Sequence, residues 1–229
     1  QHGVIKDDMS VPFSRYHTNF VGFVTSSKKE WLSILEYPYY YTEKEVWLTG
    51  LPRFDKLYNN PQKYILIMPT WRQGLMAQKW HEDENSMVWE VSEDFLQSEY
   101  VQTYQSLLAG EQLRELCQKY GYRVAFMPHA LMEPYIDKFV KGDNCSYWDR
   151  SKPYREAFAE GSLLITDYSS VAFDFAYLLK PIIYYQFDKE KFFAEHTYKQ
   201  GYFDYERDWM IKLKQDYKLE LKYLEKEKS

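Results

Sequence analysis

The sequence predicts a doubly wound α/β fold, and two observations carry that prediction. Short, wholly apolar runs recur along the chain, each followed by a stretch of helical spacing; Tyr64-Ile65-Leu66-Ile67-Met68 is the clearest. A strand that is apolar on both faces is buried on both faces, which calls for a parallel sheet covered by helices above and below. The second observation is what stands where those runs end. Pro69-Thr70-Trp71-Arg72 follows one, Pro128-His129 another, and Asp167-Tyr168-Ser169-Ser170 a third. In open α/β sheets that carboxyl edge is where ligands bind.

In chain order, residues 21–25 read as a strand, 28–36 as a helix and 45–49 as a second strand, with a turn over 50–55. Tyr58-Asn59-Asn60-Pro61 reads as a linker, because Asn and Pro favour turns and interrupt helices. The pattern then restarts with the strand at 64–68. Residues 73–92 show no clear period and are expected to form a long loop. A helix is expected over 94–120, broken near Gly110, then a strand at 123–127 and a short helix at 133–139. The series closes with a helix at 154–159, a strand at 163–166, a helix at 170–179 and a strand at 182–186. From Trp209 to the end, apolar residues at Met210, Leu213, Tyr217, Leu221 and Leu224 have the spacing of an amphipathic helix. Such a helix packs on the body or lies on a membrane surface.

Composition bounds the function. With 45% hydrophobic and 28% charged residues, the 229-residue chain can bury a core the size of one large domain, or of one domain and part of another. Aromatic residues reach 19%, which suits either a tyrosine-rich core or surfaces that stack sugars or bases. A net charge of −5 argues against a general nucleic-acid binder but leaves room for a local basic pocket. Cys117 and Cys145 have neither CxxC nor metal-ligand spacing, the expectation for a reducing compartment. No apolar run of about 18 residues is long enough to span a membrane, and no secretory signal is visible. The chain opens on Gln1-His2-Gly3 without an initiator methionine, as expected of a region cut from a longer protein.

The strand ends supply the chemistry. Thr166-Asp167-Tyr168-Ser169-Ser170 leads into a helix whose first N–H groups are unpaired and whose dipole is positive there. Ser169 and Ser170 can offer hydroxyls to a phosphate, or simply cap the helix. Neither a P-loop nor a GxGxxG is present. Arg72 can clamp a diphosphate in bidentate fashion or form a surface salt bridge. His129 can donate to a phosphate oxygen or act as an acid for a departing nucleotide, or it is a hydrogen-bonded structural histidine. His2 beside Gly3 can take a proton from an alcohol, with the glycine letting backbone approach a substrate. Trp80-His81-Glu82-Asp83-Glu84 is a weak cation site or a solvated loop, and His17 and His196 have no supporting context. No metal-ligand cluster is evident.

Taken in order, Gln1-His2-Gly3, Thr49-Gly50-Leu51-Pro52-Arg53-Phe54-Asp55, Met68-Pro69-Thr70-Trp71-Arg72, Met127-Pro128-His129, Leu164-Ile165-Thr166-Asp167-Tyr168-Ser169-Ser170-Val171 with Asp174, Lys180-Pro181-Ile182 and Gly201-Tyr202-Phe203-Asp204-Tyr205-Glu206 resemble the CDP-glycerol glycerophosphotransferases, the teichoic acid primases and polymerases. The resemblance covers residues 1 to about 208. It implies a GT-B architecture of two Rossmann-like domains. Residues 1–56 would end the acceptor-side domain, 62–208 would form the donor-binding domain, and 209–229 would be an atypical helical tail. It further implies that His2 is the base acting on the terminal hydroxyl of a lipid-linked glycerol phosphate acceptor. That oxygen would attack the β-phosphate of CDP-glycerol and CMP would leave. Arg72, His129, Ser169 and Ser170 would hold the diphosphate, Thr166 and Asp167 would shape the turn, and Gly3 and Arg53 are further candidates. No tightly bound cofactor is implied; a magnesium ion would ride on the diphosphate. The expected place is cytoplasmic, peripheral on the inner face of the cell membrane, in teichoic acid or capsule synthesis. Two departures stand out. His2-Gly3 is followed by Val4-Ile5-Lys6-Asp7-Asp8 where the family commonly has a Thr-Pro-Leu-Lys-like run, and the family's glycine-rich turn after Asp208 is missing. A CDP-ribitol or nucleotide-sugar capsule transferase, and a donor-binding remnant without catalysis, are the alternatives.

Overall fold

A computed structural model describes residues 3–81, 85–149, 151–196, 199–205, 207–208 and 211–212. The first part contains α1 (Ser10–Phe13), β1 (Phe23–Thr25), α2 (Lys28–Glu36) and β2 (Val46–Leu48). β1 and β2 pair in parallel, and Ile5, Phe23, Ile34, Tyr39, Tyr41 and Val46 bury a small core of their own. Ser27 starts α2 by accepting from the Glu30 N–H, and the helix stops at Tyr37, which precedes Pro38 and is therefore held extended. A 3-10 turn at Pro52–Lys56 leads into the larger part.

That part runs β3 (Tyr64–Met68), β4 (Met76–His81), β5 (Ser86–Val91), α3 (Glu99–Leu108), α4 (Glu111–Tyr120), β6 (Arg123–Phe126), β7 (Cys145–Tyr147), α5 (Tyr154–Glu160), β8 (Gly161–Thr166), α6 (Val171–Tyr177), β9 (Ile182–Tyr184), α7 (Lys189–Glu195) and β10 (Ile211–Lys212). Six strands form one parallel sheet in the order β10-β9-β8-β3-β6-β7. The expected doubly wound α/β fold is thus the observed one. The period of two along β3 divides its side chains. Ile65 and Ile67 face a core shared with α3 and α4, whereas Leu66 and Met68 face one shared with α5 and α6. Leu66 and Ile67 are fully buried, each stabilising the sheet by about 1.5–3 kcal/mol.

The helix expected over 94–120 is a 3-10 turn at Phe95–Gln97 followed by α3 and α4, with the break at Ala109-Gly110 where the glycine anticipates it. α4 ends on Gly121 at φ 71°, a left-handed position that suits glycine. Three expectations are corrected. Residues 73–92 are not a loop: β4 and β5 form an antiparallel hairpin carried outside the core, with the diagonal pair Lys79–Glu90 at 3.1 Å and Trp89 against Trp71 at 6.0 Å. Residues 133–138 lie within a 3-10 run, Ala130–Lys138, that ends at an extended Phe139, because Pro134 cannot donate to an α-helical ladder. In the tail, Ile211 and Lys212 pair with Ile183 and Tyr184 as a strand, where a helix is expected; the rest of 209–229 lies outside the described residues.

The two parts are tied by the chain's return. Asp8 bridges to Lys199, and Lys29 pairs with Asp208 at 2.8 Å. Within the larger part, Lys180 closes the end of α5: its Nζ donates to the carbonyls of Phe158 (2.6 Å), Ala159 (2.7 Å) and Gly161 (2.6 Å). The first two belong to the last turn of α5, where Ala159 also accepts from the Asn60 N–H at 3.1 Å, and Gly161 begins β8. Lys180→Met should therefore cost about 1–3 kcal/mol of stability. Urea unfolding of the variant against the parent checks this, and an unchanged midpoint would contradict it.

Candidate active site

The carboxyl edge of the sheet is organised around Arg72, which follows β3. The residue is 6% exposed. Its Nε donates to Asp188 Oδ2 (2.7 Å), Nη2 to Asp188 Oδ1 (3.1 Å) and Nη1 to the Thr70 carbonyl (2.6 Å), while Nη2 lies 2.9 Å from Asp167 Oδ2. The rings of Tyr100, Tyr168, Phe187 and Phe192 wall the guanidinium in at 4.9, 5.1, 5.8 and 5.0 Å. Burial alone would make it a weaker base; the flanking carboxylates of Asp167 and Asp188 outweigh burial and hold it firmly protonated. Asp167 follows β8 and Asp188 lies beyond β9, so one arginine joins the ends of three strands.

The carboxylates are satisfied in turn. Asp167 Oδ1 accepts from the N–H groups of Thr70 (2.8 Å) and Tyr168 (2.6 Å), and Oδ2 from the Tyr104 hydroxyl (3.1 Å). The Tyr168 hydroxyl donates to Asp188 Oδ1 at 3.1 Å, and its ring stacks on Phe192 at 3.9 Å. Thr166 is fully buried and donates to the Met68 carbonyl at 2.6 Å, locking β8 to β3. Arg72 is therefore neither an open clamp nor a surface salt bridge. Its donors are spent inside the protein, because two buried carboxylates meet it there. A cleft of about 180 Å³ beside it is lined by Asp94, Glu99, Asp188 and Glu195 against Lys191 and Arg72, a balance that repels a diphosphate.

The open part of the edge is built differently. Ser170 stands at the start of α6, yet its hydroxyl makes no capping bond; Ser169 Oγ accepts from the Val171 N–H at 3.4 Å. A β-carbon placed on Gly3 would lie 2.7 Å from Ser170 Oγ and 3.1 Å from Arg53 Nη2, so any larger residue here would force those side chains to shift. Arg53 in turn pairs with Asp174 of α6, and Phe54 stacks on Tyr177 at 4.8 Å. Gly3, Arg53 and Ser170, drawn from three distant stretches of sequence, therefore meet at one point. His2 lies outside the described residues.

His129 is exposed at the end of β6, its ring 6.1 Å from that of Trp71. Its Nδ1 accepts from the Leu131 N–H at 3.3 Å, so the neutral ring carries its proton on Nε2 and can donate there. His196, which the sequence leaves without context, is buried against Trp71 (5.4 Å) and Phe192 (4.6 Å). Burial, then the charges of Arg72, Lys6 and His129, push its pKa down to about 4. Asp188 and Glu30 were equally illegible in the sequence: nothing marks them until strand ends and loops converge. Among the described residues, no group of three or more His, Cys, Asp or Glu side chains is placed to hold a metal ion.

Arg72→Met leaves two buried carboxylates uncompensated and should lower stability by about 3–5 kcal/mol in urea unfolding; a loss under 1 kcal/mol, the scale of a surface pair, would refute the buried reading. Asp174 is raised by burial, against the pull of Arg53, from 3.8 to about 6. Between these values the native carboxyl keeps a proton that the unfolded chain has shed. Stability should fall as pH rises from about 4 to about 6. Asp174→Asn should remove that slope, read from unfolding midpoints across the interval.

A family model described as CDP-Glycerol:Poly(glycerophosphate) glycerophosphotransferase matches residues 6–227. The minor teichoic acid biosynthesis protein GgaB of Bacillus subtilis (strain 168) is 38% identical over 208 residues, which is 90% of this chain and 22% of that protein. The teichoic acid glycerol-phosphate transferase of Staphylococcus aureus (strain NCTC 8325 / PS 47) is 30% identical over 188 residues, 77% of this chain and 43% of the relative. The chain thus spans less than half the length of either. Among solved structures, the wall teichoic acid polymerase TagF aligns over 85% of this chain and 48% of its own, with a TM-score of 0.52 at 18% identity, a likeness of fold.

Proposed function

Because the chain belongs to the CDP-glycerol:poly(glycerophosphate) glycerophosphotransferase family, we propose that it carries the donor-binding part of an enzyme that moves glycerol phosphate from CDP-glycerol to the terminal hydroxyl of a lipid-linked acceptor. Residues 62–208 form the donor domain in this reading. The small parallel pair β1–β2 is the edge of the acceptor-side domain of a GT-B arrangement, and Trp47 and Leu48, on opposite sides of β2, are both exposed.

The observation that carries the reading is the meeting of the Gly3 backbone, the uncommitted capping hydroxyl of Ser170 and the Arg53 guanidinium at the open edge. The diphosphate lies there, away from the acidic cleft. His2, next to Gly3, removes the proton from the acceptor hydroxyl. The acceptor oxygen bonds to the β-phosphorus, and the bond from that phosphorus to the bridging oxygen breaks. CMP leaves with the electron pair on its α-phosphate. Ser169, Ser170 and the Nε2 proton of His129 meet the growing negative charge, Arg53 contributes its positive charge, and Thr166, Asp167 and Arg72 keep the turn in place. A magnesium ion would be held by the diphosphate itself and would offset its charge.

No helix among the described residues is long and apolar enough to cross a membrane. The enzyme reaches its lipid-linked acceptor as a peripheral protein on the inner face of the membrane. Supplied with CDP-glycerol and a glycerol phosphate acceptor, the chain should release CMP. Ser170→Ala should lower the turnover by about a hundredfold. Equal CMP release by this variant removes Ser170 from the site, and tighter binding of UDP than of CDP in nucleotide titrations overturns the donor assignment.

A further inference from the structure

Glu30 is a buried carboxylate for which the reaction above has no direct use. It lies in the first turn of α2 and is fully buried. Isolating a carboxylate from water is costly unless donors surround it. Here Oε1 accepts from the Ile5 N–H at 2.7 Å, and Oε2 accepts from both the N–H and the hydroxyl of Ser26 at 2.6 Å. The Ser26 bonds are local, as at many helix starts. The Ile5 bond spans 25 residues and does nothing for the helix.

What it does is hold a turn. The Lys6 N–H donates to the Val4 carbonyl at 3.2 Å, a three-residue turn centred on Ile5, and the N–H at its centre is the one Glu30 takes. Gly3 lies two residues before Ile5 and is pressed on Ser170 Oγ and Arg53 Nη2. An error in the turn is therefore an error in the approach of Gly3 to α6. Burial raises the Glu30 carboxyl above its ordinary value and the charge of Arg53 pulls it part of the way back; burial, and then the charge of Glu30, raise Tyr202 of the returning segment. Glu30 thus sits where the opening segment, the turn at Pro52–Lys56 and the returning segment meet.

We infer that Glu30 is a positioning residue for transfer: its carboxylate, through the Ile5 N–H, sets the backbone of residues 3–6 against Ser170 and so fixes where the acceptor-side machinery meets the donor. The inference deepens the phosphotransfer reading and rests on it for the catalytic consequence, whereas the backbone consequence stands alone.

The test compares Glu30→Gln, Glu30→Asp and Ser26→Ala in the full chain. Glutamine keeps a single acceptor oxygen, which the two Ser26 donors hold, and so turns its N–H₂ toward the Ile5 N–H; aspartate keeps the charge but withdraws it by one methylene, and serves if the glutamine variant does not fold. Hydrogen exchange at the Ile5 amide should quicken about a hundredfold in the Glu30 variants and stay near the parent rate in Ser26→Ala. In CMP release, kcat should fall at least about tenfold with the KM for CDP-glycerol within about threefold, while Ser26→Ala keeps its kcat. Unchanged Ile5 exchange overturns the inference, as does an unchanged kcat in the Glu30 variants or an equal loss in Ser26→Ala. A parent chain that releases no CMP counts against the phosphotransfer reading alone, and the exchange measurement then decides the role of Glu30.

Discussion

The buried contact of Arg72 with Asp167 and Asp188 is the constraint on which the carboxyl edge depends. Three strand ends converge there, each followed by irregular backbone that no ladder holds. A guanidinium is suited to joining them, since its planar fork stays charged and can address several acceptors at fixed angles. The aromatic walls of Tyr100, Tyr168, Phe187 and Phe192 exclude water and strengthen the attraction. The same exclusion makes the arrangement intolerant: a partner that is removed leaves its counterpart charged, buried and alone.

This bracing leaves other residues for chemistry. Asp167 fixes the backbone of Tyr168 and of Thr70, so the turn that presents Ser169 and Ser170 is set from beneath. The hydroxyl of Ser170 is then left facing Gly3 and Arg53. From the other side, Arg53 and Phe54 dock on α6 through Asp174 and Tyr177, and Glu30 holds the turn at Ile5. The site is thus framed twice, once by a buried arginine in the larger part and once by a buried glutamate in the smaller. Each is placed just behind a segment that must approach the other part closely.

Residues that matter through burial differ in how visible they are beforehand. β3, β6, β8 and β9 were legible because apolar runs bounded by turn residues have few other uses, and the break between α3 and α4 because Gly110 marks it. The hairpin β4–β5 was not legible: only its base, at Met76 and Val91, reaches the core, and the alternation along β5 is between half-buried and exposed residues of mixed polarity. The run Ala130–Lys138 has helical content that Pro134 diverts into 3-10 geometry, a choice made by one missing N–H.

By itself the sequence determined the parallel sheet, the loops at its carboxyl edge and the family, since each rests on local runs and motifs that survive without knowledge of contacts. It placed Arg72, Asp167 and Ser170 near that edge but could not tell a charge that faces a ligand from one that faces another charge. That distinction belongs to the tertiary structure. Asp188 and Glu30 acquire their partners across 116 and 25 residues, and the exposure of a guanidinium or carboxylate is fixed by whichever distant groups fold against it.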